Sequence, residues 1–257
     1  MFDVPTEYLN YEGTKFSKSR NVGVFGENAR DTGISSAVWR YCLLANRPEG
    51  GDTQFTWKDF INRNNGELLN NLGNFVNRAI KFMNAKYDSV VPGPSSEADL
   101  DKVLTGPMEA ELAQDINALL TSYISEMENL KLRPGLEVIM RISARGNGYL
   151  QKADLSNDMF NNQRERCDTV MLVAANLIYL LSVLLHPFMP STGDNILKQL
   201  NAPSRSLPES FSIDLFHGHV LGKADHLFKR IDPKMEDVWR VQFGGLGAGS
   251  TAPDPKV

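Results

Sequence analysis

The 257 residues carry 42% hydrophobic side chains and a net charge of −4. That is enough apolar material for one sizeable core and too little positive charge for a general nucleic-acid binder. Two cysteines, Cys42 and Cys167, exclude a disulfide framework and a cysteine zinc site and fit a reducing cytosol. Met1 to Asn10 contains Asp3, Glu7 and no apolar run, so no signal peptide is expected there. Tyr8–Tyr11 reads as a short strand entering a loop, and Glu27–Asp31 as a helical turn stopped by Gly33. Ser35 and Ser36 offer an N-cap for a helix through Ala45, with Val38, Tyr41, Cys42 and Ala45 as its apolar stripe. Residues 46–52 read as a loop.

Thr56 caps a long helix from Trp57, whose apolar stripe runs Leu68, Leu69, Leu72, Phe75, Val76, Ala79, Ile80 and Met83. At 100° per residue Asn74 and Arg78 fall opposite that stripe, one turn apart and facing outward, with Glu67 and Asn71 beside them. Pro92–Ser96 is a break. An acidic helix, Glu97–Asn129, follows, interrupted near Gly106-Pro107. Residues 94–130 hold 8 acidic side chains against 1 basic, and that segment is expected to face away from any RNA.

A helix from Leu132 to Gln151 points Val138, Ile139, Ile142 and Tyr149 inward, and Ala153–Asn161 is a loop with a short helical turn. Arg164–Leu185 is the most apolar helix. Its run Val170–Leu185 is broken only by Asn176, Tyr179 and Ser182, too short for a membrane span and suited to a central core helix. A further helix runs from Ser191 to Leu200, residues 202–226 are irregular, and Leu227–Ile231 with Pro233–Val241 read as a last helical pair. From Gly244 the composition is that of a flexible Gly/Pro-rich tail. Helices separated by short breaks predict an all-α bundle. His217, His219 and His226 fit no metal-ligand spacing, and no metal site is expected.

The chemistry-bearing stretch is Lys15-Phe16-Ser17-Lys18-Ser19, followed by Arg20 and Asn21. Lysine is a compact, mobile charge suited to a moving polyphosphate, and serine hydroxyls can hydrogen-bond phosphate oxygens. Two lysines three positions apart on a loop that can close would stabilise charge developing on a phosphate. At position 74 an amide offers donor and acceptor together, and at position 78 a guanidinium offers only donors, a pair that by itself reads as a solvated helix face.

This loop resembles the Lys-Met-Ser-Lys-Ser signature of class I aminoacyl-tRNA synthetases, with Phe16 in place of Met. Tyr8–Glu12, Asn21–Gly26, Asp31–Ile34, Trp39–Tyr41 and Glu67–Arg78 follow in the order and spacing of the methionyl-tRNA synthetases of eukaryotic cytosolic, fungal type. The resemblance covers residues 6–243 and leaves out Met1–Pro5. It implies that Lys15, Phe16, Ser17, Lys18 and Ser19 bind ATP, with Mg2+ in the complete enzyme, and that Lys15 and Lys18 are catalytic. It implies that Asn74 and Arg78 meet the CAU anticodon of methionine tRNA, supported by Arg230.

On the same resemblance, residues 1–56 form the signature loop and stem-contact segment that ends a catalytic domain. Residues 57–243 form an anticodon-binding helical domain, and 244–257 a tail. Methionine, ATP and methionine tRNA are the expected partners, with possible multisynthetase partners, no membrane, and a cytoplasmic location. Many family members place a Pro-Trp pair where this chain has Asn147–Ser156, and here there is no Trp. Either Phe160 substitutes or another contact does the stacking.

A nucleotide-binding fold with its His-Ile-Gly-His-type motif has no counterpart in the sequence. The chain therefore reads as the C-terminal part of such an enzyme, unable to adenylate methionine by itself. The alternatives are a non-catalytic tRNA-binding or assembly module, or a synthetase for leucine, isoleucine, valine or cysteine. The Asn74/Arg78 context argues against the synthetases.

Overall fold

A computed structural model describes residues 6–244. Met1–Pro5 and nearly all of the Gly/Pro-rich tail lie outside the described residues. Strand β1 (Leu9–Tyr11) pairs in parallel with β2 (Thr53–Phe55), Leu9 opposite Thr53 and Tyr11 opposite Phe55. The sequence reading missed β2, because three residues are too short for periodicity to register. Helices α1 (Gly26–Asp31) and α2 (Ser36–Ala45) lie between the strands. Ser35 takes the cap position of α2, although its hydroxyl makes no capping bond.

The long helix from Trp57 is a rod of three pieces: α3 (Trp57–Asn62), a π-helical segment (Arg63–Gly73) and α4 (Asn74–Lys86). Thr56 caps it, its hydroxyl accepting from the Asp59 N–H at 3.1 Å. The wider turns of the middle piece were not predicted. They bring Asn64, Leu68 and Leu72 inward, four residues apart.

Helices α5 (Glu97–Val103) and α6 (Pro107–Glu128) split where Gly106-Pro107 was expected to interrupt them, with Pro107 at the first helical position. Next come α7 (Leu132–Lys152), α8 (Asn157–Asn162), α9 (Arg164–Leu185), α10 (Pro190–Leu200) and α11 (Met235–Phe243).

Helix α9 is central, packed by α4, α7, α8 and α10. At the expected 22 residues it is long and apolar enough by composition to cross a bilayer, yet it is a core helix. The bundle buries 83% of its most apolar stretch. Its polar residues fasten the irregular segment around residues 203–215. Buried Asn176 donates to Leu215 O at 3.0 Å and accepts from the N–H groups of Asp214 and Leu215, both at 2.7 Å. Tyr179 donates to Pro203 O at 2.8 Å.

The last helical pair is corrected to one helix. Residues 227–231 are irregular, and the π segment hydrogen-bonds that stretch through its side chains. Asn64 donates to Lys229 O at 2.9 Å. Asn65 donates to Ile231 O at 2.8 Å and accepts from the Ile231 N–H at 2.9 Å.

All three tryptophans meet where the N-terminal segment joins the helices. Trp57 is fully buried, its ring 4.8 Å from Trp239, 5.0 Å from Phe55 and 5.6 Å from Phe243. Trp39 packs on Phe60 at 4.3 Å.

Burial raises the phenols of Tyr123 and Tyr149, Tyr123 to about 12, and the Glu109 carboxylate pushes Tyr149 up further. The unfolded chain loses these protons near pH 10 and the folded chain later, so stability is retained below about pH 10 and falls above it. Each phenol contributes a slope of about 1.4 kcal/mol per pH unit. Thermal melts across this range should show Tm constant through neutral pH and dropping above about pH 10, with tyrosinate absorbance of the buried phenols appearing only as helical circular dichroism is lost. Full tyrosine ionisation in a chain that stays helical would contradict it.

Candidate nucleic-acid interface and lysine loop

Two tight turns build the lysine loop. Tyr11 N–H donates to Thr14 O at 2.7 Å and Thr14 N–H returns to Tyr11 O at 2.8 Å, with Glu12 and Gly13 at φ of 47° and 83°. Two positive φ values give the mirror-image turn that suits a hairpin's twist. Ser17 and Val22 then exchange both backbone bonds, at 2.8 and 2.9 Å, leaving Lys18–Asn21 as the tip.

Phe16 is half-buried, its ring 5.3 Å from Tyr11 and 5.9 Å from Phe25. Gly23 sits beneath it at φ 115°, where a Cβ would come within 2.2 Å of the Phe16 ring. The Gly23 N–H donates to Phe243 O at 2.8 Å, tying the loop to α11. Phe16 therefore acts as an apolar clip, while Lys15, Lys18, Ser19 and Arg20 remain exposed.

Ser17 Oγ accepts from Arg20 Nε at 3.1 Å and lies 3.5 Å from Ser19 Oγ. Lys15 Nζ sits 5.7 Å from the Tyr8 ring. Among the described residues Lys15, Lys18 and Arg20 form no ion pair. The nearest acid in sequence, Glu12, is engaged elsewhere: it accepts from the Trp57 N–H at 2.8 Å and pairs with Arg240 at 3.4 Å. Three cations without an ion-pair partner among the described residues and two hydroxyls give a tip whose chemistry suits an anion.

Asn74 and Arg78 are exposed side by side on α4, as the spacing predicts. The packing beneath them explains how α7 joins the site. Phe75 is fully buried, and its ring fills the space where Gly146 on α7 has no side chain. A Cβ at Gly146 would lie 2.4 Å from that ring. This close approach lets Asn147 reach α4. Asn74 Nδ2 donates to Asn147 Oδ1 at 3.3 Å, and Asn147 Nδ2 donates to the Asn71 carbonyl at 3.0 Å and to Asn71 Oδ1 at 3.1 Å. Arg78 Nη2 donates to Leu155 O at 3.2 Å. Glu67, expected beside the pair, instead accepts hydrogen bonds from Tyr41 and Arg63.

Phe82 and Lys86 continue the same face of α4. Phe160 meets them there, 6.2 Å from Phe82 and 5.2 Å from Tyr87, with Lys86 Nζ 5.6 Å away. The guanidinium of half-exposed Arg164 overlies both Phe160 and Tyr87, at 4.3 and 4.5 Å. Phe160 is thus already stacked within the protein. Arg230 is exposed on the irregular stretch before α11. Phe228, two residues earlier, abuts Gly73, the residue before Asn74.

The acidic helix α6 contacts the other side of α7, where Asp115 pairs with Arg145 at 3.3 Å and Glu111 with Lys152. Asn147 and Arg164 were not identified from sequence. Asn147 begins the Asn-x-Tyr segment but was given no role there, and only the fold brings both residues to α4.

Residues 4–80 match the family described as tRNA synthetases class I (M), and residues 101–248 match the anticodon binding domain of methionyl tRNA ligase. The cytoplasmic methionine–tRNA ligase of Saccharomyces cerevisiae is 50% identical over 242 residues, covering 93% of this chain and 31% of its own length. The human cytoplasmic methionine–tRNA ligase is 40% identical over 259 residues, covering 99% and 28%. This chain therefore spans about a third of the length of the curated relatives it matches. Mycobacterium tuberculosis methionyl-tRNA synthetase bound by methionyl-adenylate shares the fold, with a TM-score of 0.71 at 22% identity over 86% of this chain and 43% of that one.

Gly146→Ala should force α7 away from the Phe75 ring and lower stability by about 1–3 kcal/mol. Urea unfolding measures this, and an unchanged midpoint would show that the helices do not need their close contact.

Proposed function

Because the chain belongs to the methionyl-tRNA synthetase family, we propose that it is the tRNA-reading and signature-loop portion of a methionine–tRNA ligase. The parent reaction joins methionine to its tRNA and converts ATP to AMP and pyrophosphate. On this reading residues 1–56 carry the loop and stem-contact segment, and 57–243 the anticodon-binding part.

Asn74 and Arg78 meet the unstacked bases of the CAU anticodon, and Arg230 meets the same loop from the neighbouring irregular stretch. The observation that carries this reading is the pair's exposure on one face of α4, with hydrogen-bonding capacity left over. The guanidinium has five N–H donors, and one is engaged by Leu155 O.

Lys15 and Lys18 place two ammonium charges against the phosphate oxygens of ATP and stabilise the negative charge that grows as the methionine carboxylate attacks. Ser17 and Ser19 offer hydroxyls to the same oxygens, and Phe16 keeps the tip seated on Tyr11 and Phe25. The loop brings no carboxylate, so Mg2+ would be carried by the phosphates rather than by these residues. A preorganised charge of this kind is worth about 3–4 kcal/mol of barrier. The substrate pockets belong to the remaining two thirds of the relatives' length.

Binding of anticodon stem-loop RNA to the full chain tests the decoding part. CAU should bind more tightly than altered anticodons, and affinity should fall as salt rises. Asn74→Ala or Arg78→Ala should each cost about 1–3 kcal/mol, the range of a good side-chain contact to a base edge. Equal binding of CAU and scrambled anticodons would remove the assignment.

Pyrophosphate exchange tests the other part. The 257-residue polypeptide should show none above background, and exchange by the purified chain would refute the division of labour proposed here.

A further inference from the structure

We propose that Asn147 is a positioning residue that fixes which end of the Asn74 amide faces an RNA base. The inference rests on the reading of Asn74 as a base contact. It comes from a one-way chain of side-chain amides that starts at the backbone of α7. Asn71 Nδ2 donates to Met140 O at 2.9 Å. A backbone carbonyl can only accept, so this contact sets the Asn71 amide with its oxygen turned away from Met140.

Asn147 Nδ2 meets three acceptors: Asn71 Oδ1 at 3.1 Å, Asn71 O at 3.0 Å and Ser143 O at 3.4 Å. Two of these are backbone carbonyls, so the Asn147 amide cannot be reversed without placing oxygen against oxygen. Its Oδ1 must then face Asn74, which supplies an N–H at 3.3 Å. Asn74 is left with its own Oδ1 outward, on an exposed residue and with no partner among the described residues.

Polarity along this chain has a consequence for recognition. Asn74 presents an acceptor, and Arg78, one turn on, presents only donors. A base that satisfies both carries an amino group beside a ring-nitrogen acceptor. Cytosine and adenine have that edge. Uracil and guanine have the reverse, a carbonyl oxygen beside a ring N–H. With its amide free to turn, Asn74 would accept either kind, since its two ends are nearly equal in shape. Asn147 therefore acts through Asn74 and sets specificity rather than raw affinity.

The test uses the full chain and anticodon stem-loop RNAs carrying CAU, UAU and CGU, so that each amino base is replaced in turn by its carbonyl counterpart. Wild type should prefer the amino base at one position by about tenfold, the scale of one well-placed base contact. Asn147→Ala should reduce that preference to within about twofold, chiefly by raising affinity for the substituted RNA while affinity for the CAU RNA hardly changes.

Asn147→Ser is the second variant. Its hydroxyl can still bond the Ser143 carbonyl four residues back, which supports folding, but is too short to hold Asn74. It should lose the preference too. In an Asn74→Ala background, Asn147→Ala should change affinity by less than about twofold, because a residue acting through another adds nothing once that other is gone.

Folded Asn147 variants that keep the full preference would overturn the proposal. Equal weakening by Asn147→Ala with and without Asn74 would do the same. Loss of the preference in wild type would instead sink the anticodon reading itself.

Discussion

The burial of Trp57 is the constraint on which the N-terminal third depends. Two strands of three residues each do not form an independently stable sheet. They are held because Tyr11 and Phe55 pack around an indole that also belongs to α3 and faces Trp239 and Phe243 of α11. The indole N–H is not left unsatisfied: it donates to Tyr11 OH at 2.8 Å. Glu12 caps the same helix end and pairs with Arg240. The lysine loop begins directly after these residues and returns to α11 through Gly23. Its place is therefore inherited from the helical body, and only its tip is free of side-chain packing.

The same rod that starts at Trp57 passes through the π segment before it reaches Asn74. Wide turns change which side chains leave the helix together. Asn64 and Asn65 turn onto the irregular stretch at 229–231, and Asn71 turns onto α7. Buried or half-buried amides of this kind need partners, and here each finds a backbone carbonyl. The π segment thus links three things that are far apart in sequence: the stretch carrying Arg230, the helix carrying Asn147, and the face carrying Asn74 and Arg78.

How much of this was legible in the sequence depended on the length of the signal. Helices of ten residues or more declared themselves by apolar spacing, and α9 and the break before Pro107 fell where predicted. Asn74 and Arg78 were placed on the outer face because α4 itself is regular. Within the π segment the 100° rule placed Leu68 and Leu72 inward correctly, but Glu67, expected beside the pair, accepts from Tyr41 and Arg63. Leu227–Ile231 carries a plausible helical pattern, yet it is irregular and bonded by the side chains of Asn64 and Asn65. Tertiary contacts outweighed a weak local preference. Asn147 was unreadable for a different reason. Its role exists only because Gly146 lets α7 touch Phe75, a contact between segments some seventy residues apart in the sequence.

A net charge of −4 says little about the local surface until the charges are assigned to partners. The acids of α6 are largely committed within the protein: Glu109 to Arg166, Glu111 to Lys152 and Asp115 to Arg145. They also contact the side of α7 turned from Asn147. Exposed charges lose influence over about 8–10 Å at physiological salt. An acid behind a helix therefore weighs less on a bound phosphate than a cation beside it. Lys15, Lys18, Arg20, Arg78 and Arg230 have no carboxylate partner among the described residues. Local imbalance, not the total, governs where an anion can dock. The loop tip and the outer face of the rod are two places on this chain where such imbalance falls.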